Sequence, residues 1–234
     1  AHALPATNAG RNAGTFGAAG ALSFYATKTV TTGEGGMLVT ASDAIADRAR
    51  VMRLHGISRD AWKRYTVGGS WYYEIEDVGF KYNLTDLAAA IGIVQLERAD
   101  EMRLARERIA GLYDERFREL GLEEQVELPS RAGPGDVHAW HLYMLRLRNG
   151  QDSESTSRDA VIESLKADRV GTSVHFIPLH LHPYYKRTYG YAAGDFPNAE
   201  AAFQHEISLP IYPSLSDEDV DRVVLSVRRA VTGG

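Results

Sequence analysis

Apolar residues at Leu22, Phe24 and Ala26 alternate with their neighbours and predict a short strand ending just before Lys28. A second strand is predicted from Gly36 to Thr40, where glycines permit a tight turn ahead of Met37 to Val39. Lys28 therefore falls on a connection held at both ends by buried strands. Thr40 and Asp43 read as a capping box, and Ile45, Ala49 and Met52 follow at helical spacing, so a helix is expected that runs out near His55 and Gly56. Periodicity is then lost. Between Ile57 and Phe80 the residues Trp62, Gly68, Gly69, Trp71, Tyr72 and Tyr73 mark a long excursion of the kind that binds, gates or crosses to a partner.

A further helix is predicted from Asp86, with Thr85 as its cap and Leu87, Ile91 and Val94 along one side. An apolar stripe at Met102, Ile109, Leu112, Tyr113 and Phe117 extends the helical pattern, although Gly111 costs about 1 kcal/mol against alanine and argues against one unbroken rod. The composition changes around GLEEQVELPSRAGPGD. Beyond it, His138 to Leu147 is strand-like, Ser157 to Lys166 helical, and GTSVHFI another strand. A last helix is capped by Ser216 and Asp219 and lined by Val220, Val223, Val227 and Val231. This alternation predicts α/β architecture: residues 1–122 in one domain with a long connecting helix, and 123–234 in a small α/β domain. Two strands and their helices are too few for a doubly covered sheet, so the first domain reads as incomplete.

A formal charge of −5, with arginines interleaved among acids, offers no basic surface to a nucleic acid backbone. No apolar run reaches the roughly 20 residues that span a bilayer, and the chain does not open like a secretory signal. The absence of cysteine excludes disulfides and thiolate metal sites and fits a cytoplasmic protein. His175, His180 and His182 cluster, but without helix-borne spacing and between Pro178 and Pro183, so no metal site is expected.

The candidate chemistry centres on Lys28. A lysine carries a carbonyl group or acts as a base when its surroundings disfavour its charge, and a surface lysine beside glycines is the plainer alternative. Thr27, Thr29, Thr31 and Thr32 flank it and offer hydroxyls to an anion, and Ser23 shares a predicted strand face with Tyr25 and Thr27. Lys186 and Arg187, beside Tyr184 and Tyr185, read either as a diphosphate contact or as surface charge.

The runs SFYATKTVTTGEGGMLVT, GFKYNLTDLAAAIGIVQL, VHFIPLHLHPYY, GDFPNAE and LPIYPSLSDEDVD, in that order, resemble the pyridoxal-phosphate-dependent sugar aminotransferases of the DegT/DnrJ/EryC1/StrS family over essentially the whole chain. The resemblance implies an aspartate-aminotransferase-like, type I pyridoxal-phosphate fold. It makes Lys28 the residue that carries pyridoxal 5'-phosphate as a Schiff base and later shuttles the proton. Ser23 becomes a phosphate-binding hydroxyl, Asn83 the amide that reaches the cofactor phosphate of a neighbouring subunit, and His2 a neighbour of the cofactor ring. His180, Tyr184 and Arg187 are then substrate contacts at the mouth of the site.

The implied activity is amino transfer, usually from glutamate, to a ketone of a nucleotide-linked deoxy sugar, in a homodimer with shared active sites. A dehydratase of the same superfamily, in which histidine replaces the lysine, is disfavoured by Lys28. By this reading the chain is the carboxy-terminal portion of such an enzyme. The aspartate that pairs with the pyridine nitrogen then lies upstream, and this portion alone is expected to lack turnover. A non-catalytic, truncated or decayed copy of the fold is the alternative of a different class.

Overall fold

The computed structural model describes residues 1–57, 72–148 and 157–233. Of the predicted excursion, Trp62, Gly68, Gly69 and Trp71 lie outside the described residues. The chain divides into two compact units, one of residues 1–102 with 132–139 and one of residues 103–131 with 140–234.

The first unit opens with a small antiparallel hairpin, β1 (Thr7–Asn8) and β2 (Arg11–Asn12). Asp136 fastens its turn. That carboxylate accepts the backbone N–H groups of Ala9 and Gly10 at 2.9 and 3.1 Å, and these bonds hold it below the usual carboxylate range. Strands β3 (Gly20–Ser23) and β4 (Gly36–Val39) pair antiparallel, with Ser23 opposite Gly36. A Cβ at Gly36 would lie 2.7 Å from the Leu22 carbonyl oxygen, so the close approach of the strands at the loop end requires glycine.

Helix α1 (Asp43–Met52) is capped by Ser42, not by Thr40 as the pattern predicts. The Thr40 hydroxyl instead donates to Ala18 O at 2.6 Å and accepts the Ser42 N–H, so it closes the turn before the helix. Helix α2 (Asp86–Glu97) starts as expected, with the Thr85 hydroxyl accepting the Ala88 N–H at 3.2 Å. The apolar residues placed along one of its sides are open. Leu87, Ile91 and Val94 are 82, 53 and 53% exposed, and Gly92 is the buried residue of the helix.

The second unit is built on a three-stranded antiparallel sheet, β5 (Val126–Glu127), β6 (Tyr143–Leu147) and β7 (Glu206–Leu209), with β6 central. Tyr143, Leu145 and Leu147 point inward from β6 while Met144 and Arg146 point out, the period-two pattern of a half-buried strand. Helices α4 (Arg158–Ala167) and α7 (Asp217–Thr232) pack on each other, and Val220, Val223 and Val227 enter a core shared with Tyr113, Trp140 and Ile207. The Ser216 cap accepts the Asp219 N–H at 3.1 Å, as predicted.

Helix α3 (Ala99–Glu119) runs without a break through Gly111. A methyl group at Gly111 would meet only Arg131 Nη2, at 3.9 Å. Gly111→Ala is therefore expected to stabilise the protein by about 0.5–1 kcal/mol, measured by chemical denaturation.

GTSVHFI does not form the predicted strand. Ser173 makes a single bridge to Ser208, after which the His175 N–H goes to the Glu206 carboxylate at 2.6 Å instead of to a backbone carbonyl. A side chain thus takes the ladder position and ends the pairing. Glu206 is 8% exposed, and burial raises its carboxyl above the ordinary glutamate range against the pull of the His175 N–H. Its folded value lies above its unfolded one. The stability it contributes is complete below the unfolded value, near 4.3, and is lost as pH rises through the folded one. Glu206→Gln is accordingly expected to gain in melting temperature on the wild type as pH rises from about 4 towards 7.

Candidate active site

The connection between β3 and β4 folds into a braced loop. Phe24 and Val30 are buried at 3 and 1% exposure and anchor it to the unit. Phe24 N–H donates to Gly35 O, and Thr32 N–H donates to Phe24 O, each at 2.9 Å, which ties the two limbs together. Helix α2 supports the loop from one side: Gly92 lies against the Thr32 methyl, and Gln95 Oε1 accepts the Thr31 N–H at 3.4 Å.

Lys28 lies in this loop half-buried, its N–H donating to Tyr25 O at 2.9 Å. Among the described residues its side-chain amine has no ion pair or hydrogen bond. The threonines around it are differently placed from what their composition suggests. Thr29 Oγ1 donates to Leu4 O at 2.7 Å, Thr31 Oγ1 to Phe24 O at 3.2 Å, and Thr32 Oγ1 to Glu34 O at 2.7 Å. Three hydroxyls that read as anion donors therefore brace the loop. Ser23 differs: its Oγ accepts the Tyr25 N–H at 3.3 Å, which leaves its own O–H to donate elsewhere. The Thr29 bond also ties the Lys28 loop to the segment two residues beyond His2, which is half-buried.

Asn83 is set by a different scaffold. Phe80 N–H donates to Met52 O at 2.7 Å and Tyr82 N–H to Arg53 O at 2.8 Å, so the segment adds an extended edge to the end of α1. The Phe80 and Tyr82 rings stack with centroids 4.9 Å apart. On the alternate positions the Lys81 ammonium donates to Asn83 Oδ1, which leaves both amide hydrogens of Asn83 to point away. Asn83 lines a groove of about 1200 Å³ with Gly36, Met37, Arg50, Arg53 and Tyr82. Lys28 is not on that wall, so the groove does not join the two residues.

In the second unit His180 is 5% exposed, with Nε2 2.8 Å from Glu200 Oε1. The same carboxylate oxygen accepts the Gly194 N–H at 2.6 Å, and Glu200 lies below the usual glutamate range because of His180 first and that N–H second. Tyr184 and Arg187 lie three residues apart on α5 (Pro183–Tyr189), where both are exposed. His175 Nδ1 is 2.7 Å from Ser208 Oγ. Among the described residues no group of three or more His, Asp or Glu side chains could hold a metal ion. No described helix is long and apolar enough to cross a membrane.

The model of the DegT/DnrJ/EryC1/StrS aminotransferase family matches residues 1–228. The chain belongs to this family. Among similar sequences, the uncharacterized protein MJ1066 of Methanocaldococcus jannaschii is 53% identical over 99% of this chain. The spore coat polysaccharide biosynthesis protein SpsC of Bacillus subtilis is 47% identical over 100% of it. The chain spans 58 and 59% of the length of those two relatives. Among solved structures, the putative sugar aminotransferase Spr1654 from Streptococcus pneumoniae in its PMP-form superposes with a TM-score of 0.86 at 29% identity, covering 100% of this chain and 56% of that one. The PLP-form of Spr1654 gives 0.85 at 30% identity with the same coverage. The fold is that of the type I pyridoxal-phosphate aminotransferases.

The residues of this DegT-family chain suit pyridoxal phosphate. A primary amine with no competing partner among the described residues suits an aldehyde, and a serine hydroxyl that donates to none of the described residues suits a phosphate. Sequence reasoning passed over Lys81 and Glu200. The alternation of an extended segment puts Lys81 and Asn83 on one side and was a usable signal. Nothing in sequence spacing pairs Glu200 with His180, 20 residues away.

Proposed function

We propose that this protein is the part of a sugar aminotransferase that carries the reactive lysine, and that the enzyme moves an amino group from glutamate to a keto group on a nucleotide-linked deoxy sugar. The observation that carries the reading is the Lys28 amine, unengaged among the described residues and set in a loop whose hydroxyls are turned to bracing it. Two similar proteins support the class: the putative sugar aminotransferase Spr1654 and the spore coat polysaccharide biosynthesis protein SpsC.

When bound, pyridoxal phosphate supplies an aldehyde and an electron sink for breaking bonds at the amino carbon. Lys28 Nζ would hold the aldehyde end, and Ser23 Oγ–H would donate to the phosphate. The Asn83 amide of a second copy would donate to the same phosphate, with His2 lying beside the ring. The braced loop keeps the Lys28 backbone in one position, from which the flexible side chain can hold or move a proton at the substrate carbon without reorganising the backbone. Tyr184 and Arg187 would meet the substrate on the second unit. A homodimer is supported by the apolar side of α2, where Leu87, Ile91 and Val94 remain exposed and call for a covering surface.

The test is a half-reaction. The full-length protein loaded with pyridoxal phosphate is mixed with glutamate, and 2-oxoglutarate is measured without and then with a nucleotide-linked keto sugar. One equivalent of 2-oxoglutarate per site, followed by repeated turnover once the sugar is present, is expected. Formation of none, with the cofactor bound, would refute the reading.

A further inference from the structure

The backbone that carries Lys81 and Asn83 is held in place by the chain just after α1. Phe80 N–H donates to Met52 O at 2.7 Å, His55 N–H to Phe80 O at 2.8 Å, and Tyr82 N–H to Arg53 O at 2.8 Å. Lys81 itself bridges to Leu54. The two segments run so close that a Cβ at Gly79 would lie 2.0 Å from Gly56 N, an approach that requires glycine. Lys81 and Asn83 alternate with Tyr82 on this extended backbone and so project to one side.

Their side chains meet there, the Lys81 ammonium donating to Asn83 Oδ1 at 2.5 Å. Among the described residues the ammonium makes no other hydrogen bond and no ion pair, although Glu76, Asp77 and Asp86 are near it in the chain. Its partner is a neutral amide. An ammonium has donors and no acceptor, so the amide can satisfy it in one of its two flipped states, with Oδ1 towards the lysine. The –NH2 group is then turned outward. A phosphate oxygen only accepts, and this is the state that can serve it; with the amide reversed, Oδ1 would face the anion and repel it.

We propose that Lys81 is a positioning residue that fixes the Asn83 amide with both hydrogens presented to the cofactor phosphate of a second copy. The inference rests on the reading of Asn83 as a donor to that phosphate. Lys81 acts through the amide and not on the anion itself, so the aldehyde end of the cofactor, held at Lys28, is indifferent to it.

The test measures the dissociation constants of pyridoxal phosphate and of pyridoxal, which has the aldehyde but no phosphate. The full-length wild type is compared with K81M, K81R, K81E, N83A and the double variant K81M/N83A. N83A, which removes the donors, is expected to weaken pyridoxal phosphate by about 10- to 100-fold, and K81M, which frees the amide to turn, by about 3- to 10-fold. K81R keeps a donor-only cation and is expected to stay within about twofold of the wild type. K81E offers the –NH2 group an acceptor, turns the amide round and is expected to lose at least as much as N83A. In the N83A background K81M is expected to add no further loss. Pyridoxal is expected to bind all of these forms alike.

K81M binding pyridoxal phosphate as tightly as the wild type would overturn the inference. So would an equal loss from K81M with and without Asn83, the mark of a charge acting directly on the anion. A matching loss of pyridoxal would overturn it too, because a lysine that merely supports the fold affects both ligands. Covalent capture of pyridoxal phosphate on Lys28, measured in the same samples, separates the failures. Capture in the wild type, with N83A weakened and K81M unchanged, defeats this inference alone. N83A as tight as the wild type removes the phosphate role of Asn83 and this inference with it, while the role of Lys28 stands. Absence of capture in the wild type defeats the aminotransferase reading itself.

Discussion

Lys28→Ala is expected to reduce amino transfer by about 10²–10⁴-fold or more in the full-length enzyme while leaving folding stability within about 0.5 kcal/mol of the wild type. The two halves of this expectation have one cause. The amine has no partner among the described residues, so its removal breaks no contact, and the brace of the loop is made by the hydroxyls of Thr29, Thr31 and Thr32 and by backbone groups. Lys28→Arg keeps the charge but supplies a guanidinium that stays protonated and cannot carry an aldehyde, so it is expected to be as inactive. Ser23→Ala removes one donor to a charged group, a loss of about 10- to 100-fold in cofactor affinity without a comparable loss in the rate of the bound enzyme. Full activity in Lys28→Ala would contradict the account, as would a collapse of stability.

The largest expected stability effect lies at Asp114, which is 3% exposed. Its Oδ1 accepts the Tyr143 hydroxyl at 2.7 Å, and its Oδ2 accepts Arg131 Nε and Nη2 at 2.9 and 2.7 Å. Burial first, and the Asp114 bond second, push the Tyr143 hydroxyl well above its ordinary range, so it remains a neutral donor at all ordinary pH. In Asp114→Ala the buried hydroxyl loses its acceptor, at about 1–3 kcal/mol. Arg131 is 40% exposed on its side chain, so water takes over its charge and that part of the loss is about 0–1 kcal/mol. The sum, about 1–4 kcal/mol, is centred below the figure of about 3–5 kcal/mol for breaking a fully buried pair because one partner reaches solvent. Tyr143→Phe removes donor and demand together and is expected to cost about 1 kcal/mol. Denaturant midpoints for the two variants and their combination measure the difference. Equal losses from both single variants would mean that the hydroxyl, and not the carboxylate, governs the network.

Much of the architecture was legible because it follows from short-range pattern. Thr85 and Ser216 cap the helices that their spacing predicts, and Val220, Val223 and Val227 are buried as their period requires. The failures share a different physics. GTSVHFI has the composition of a strand, but the Glu206 carboxylate, 31 residues away, takes the N–H that a ladder needs. Thr40 has the look of a cap but donates to Ala18, a bond that depends on where β3 and β4 bring the chain.

For the candidate site, residue type alone offered four threonines as anion donors, and only the folded loop reveals that three of them face inward. Leu87, Ile91 and Val94 were legible as one side of α2; what covers that side depends on surfaces beyond these residues.

The central claim, that the Lys28 amine is the covalent seat of an aldehyde cofactor, is tested by reduction and mapping. The full-length protein is incubated with pyridoxal phosphate, reduced with borohydride and digested, and the mass of each peptide bearing Lys28, Lys63, Lys81, Lys166 or Lys186 is measured. The account predicts the phosphopyridoxyl mass on the Lys28 peptide at near one equivalent, well above the other four. Label spread evenly over these lysines, or concentrated away from Lys28, would contradict it.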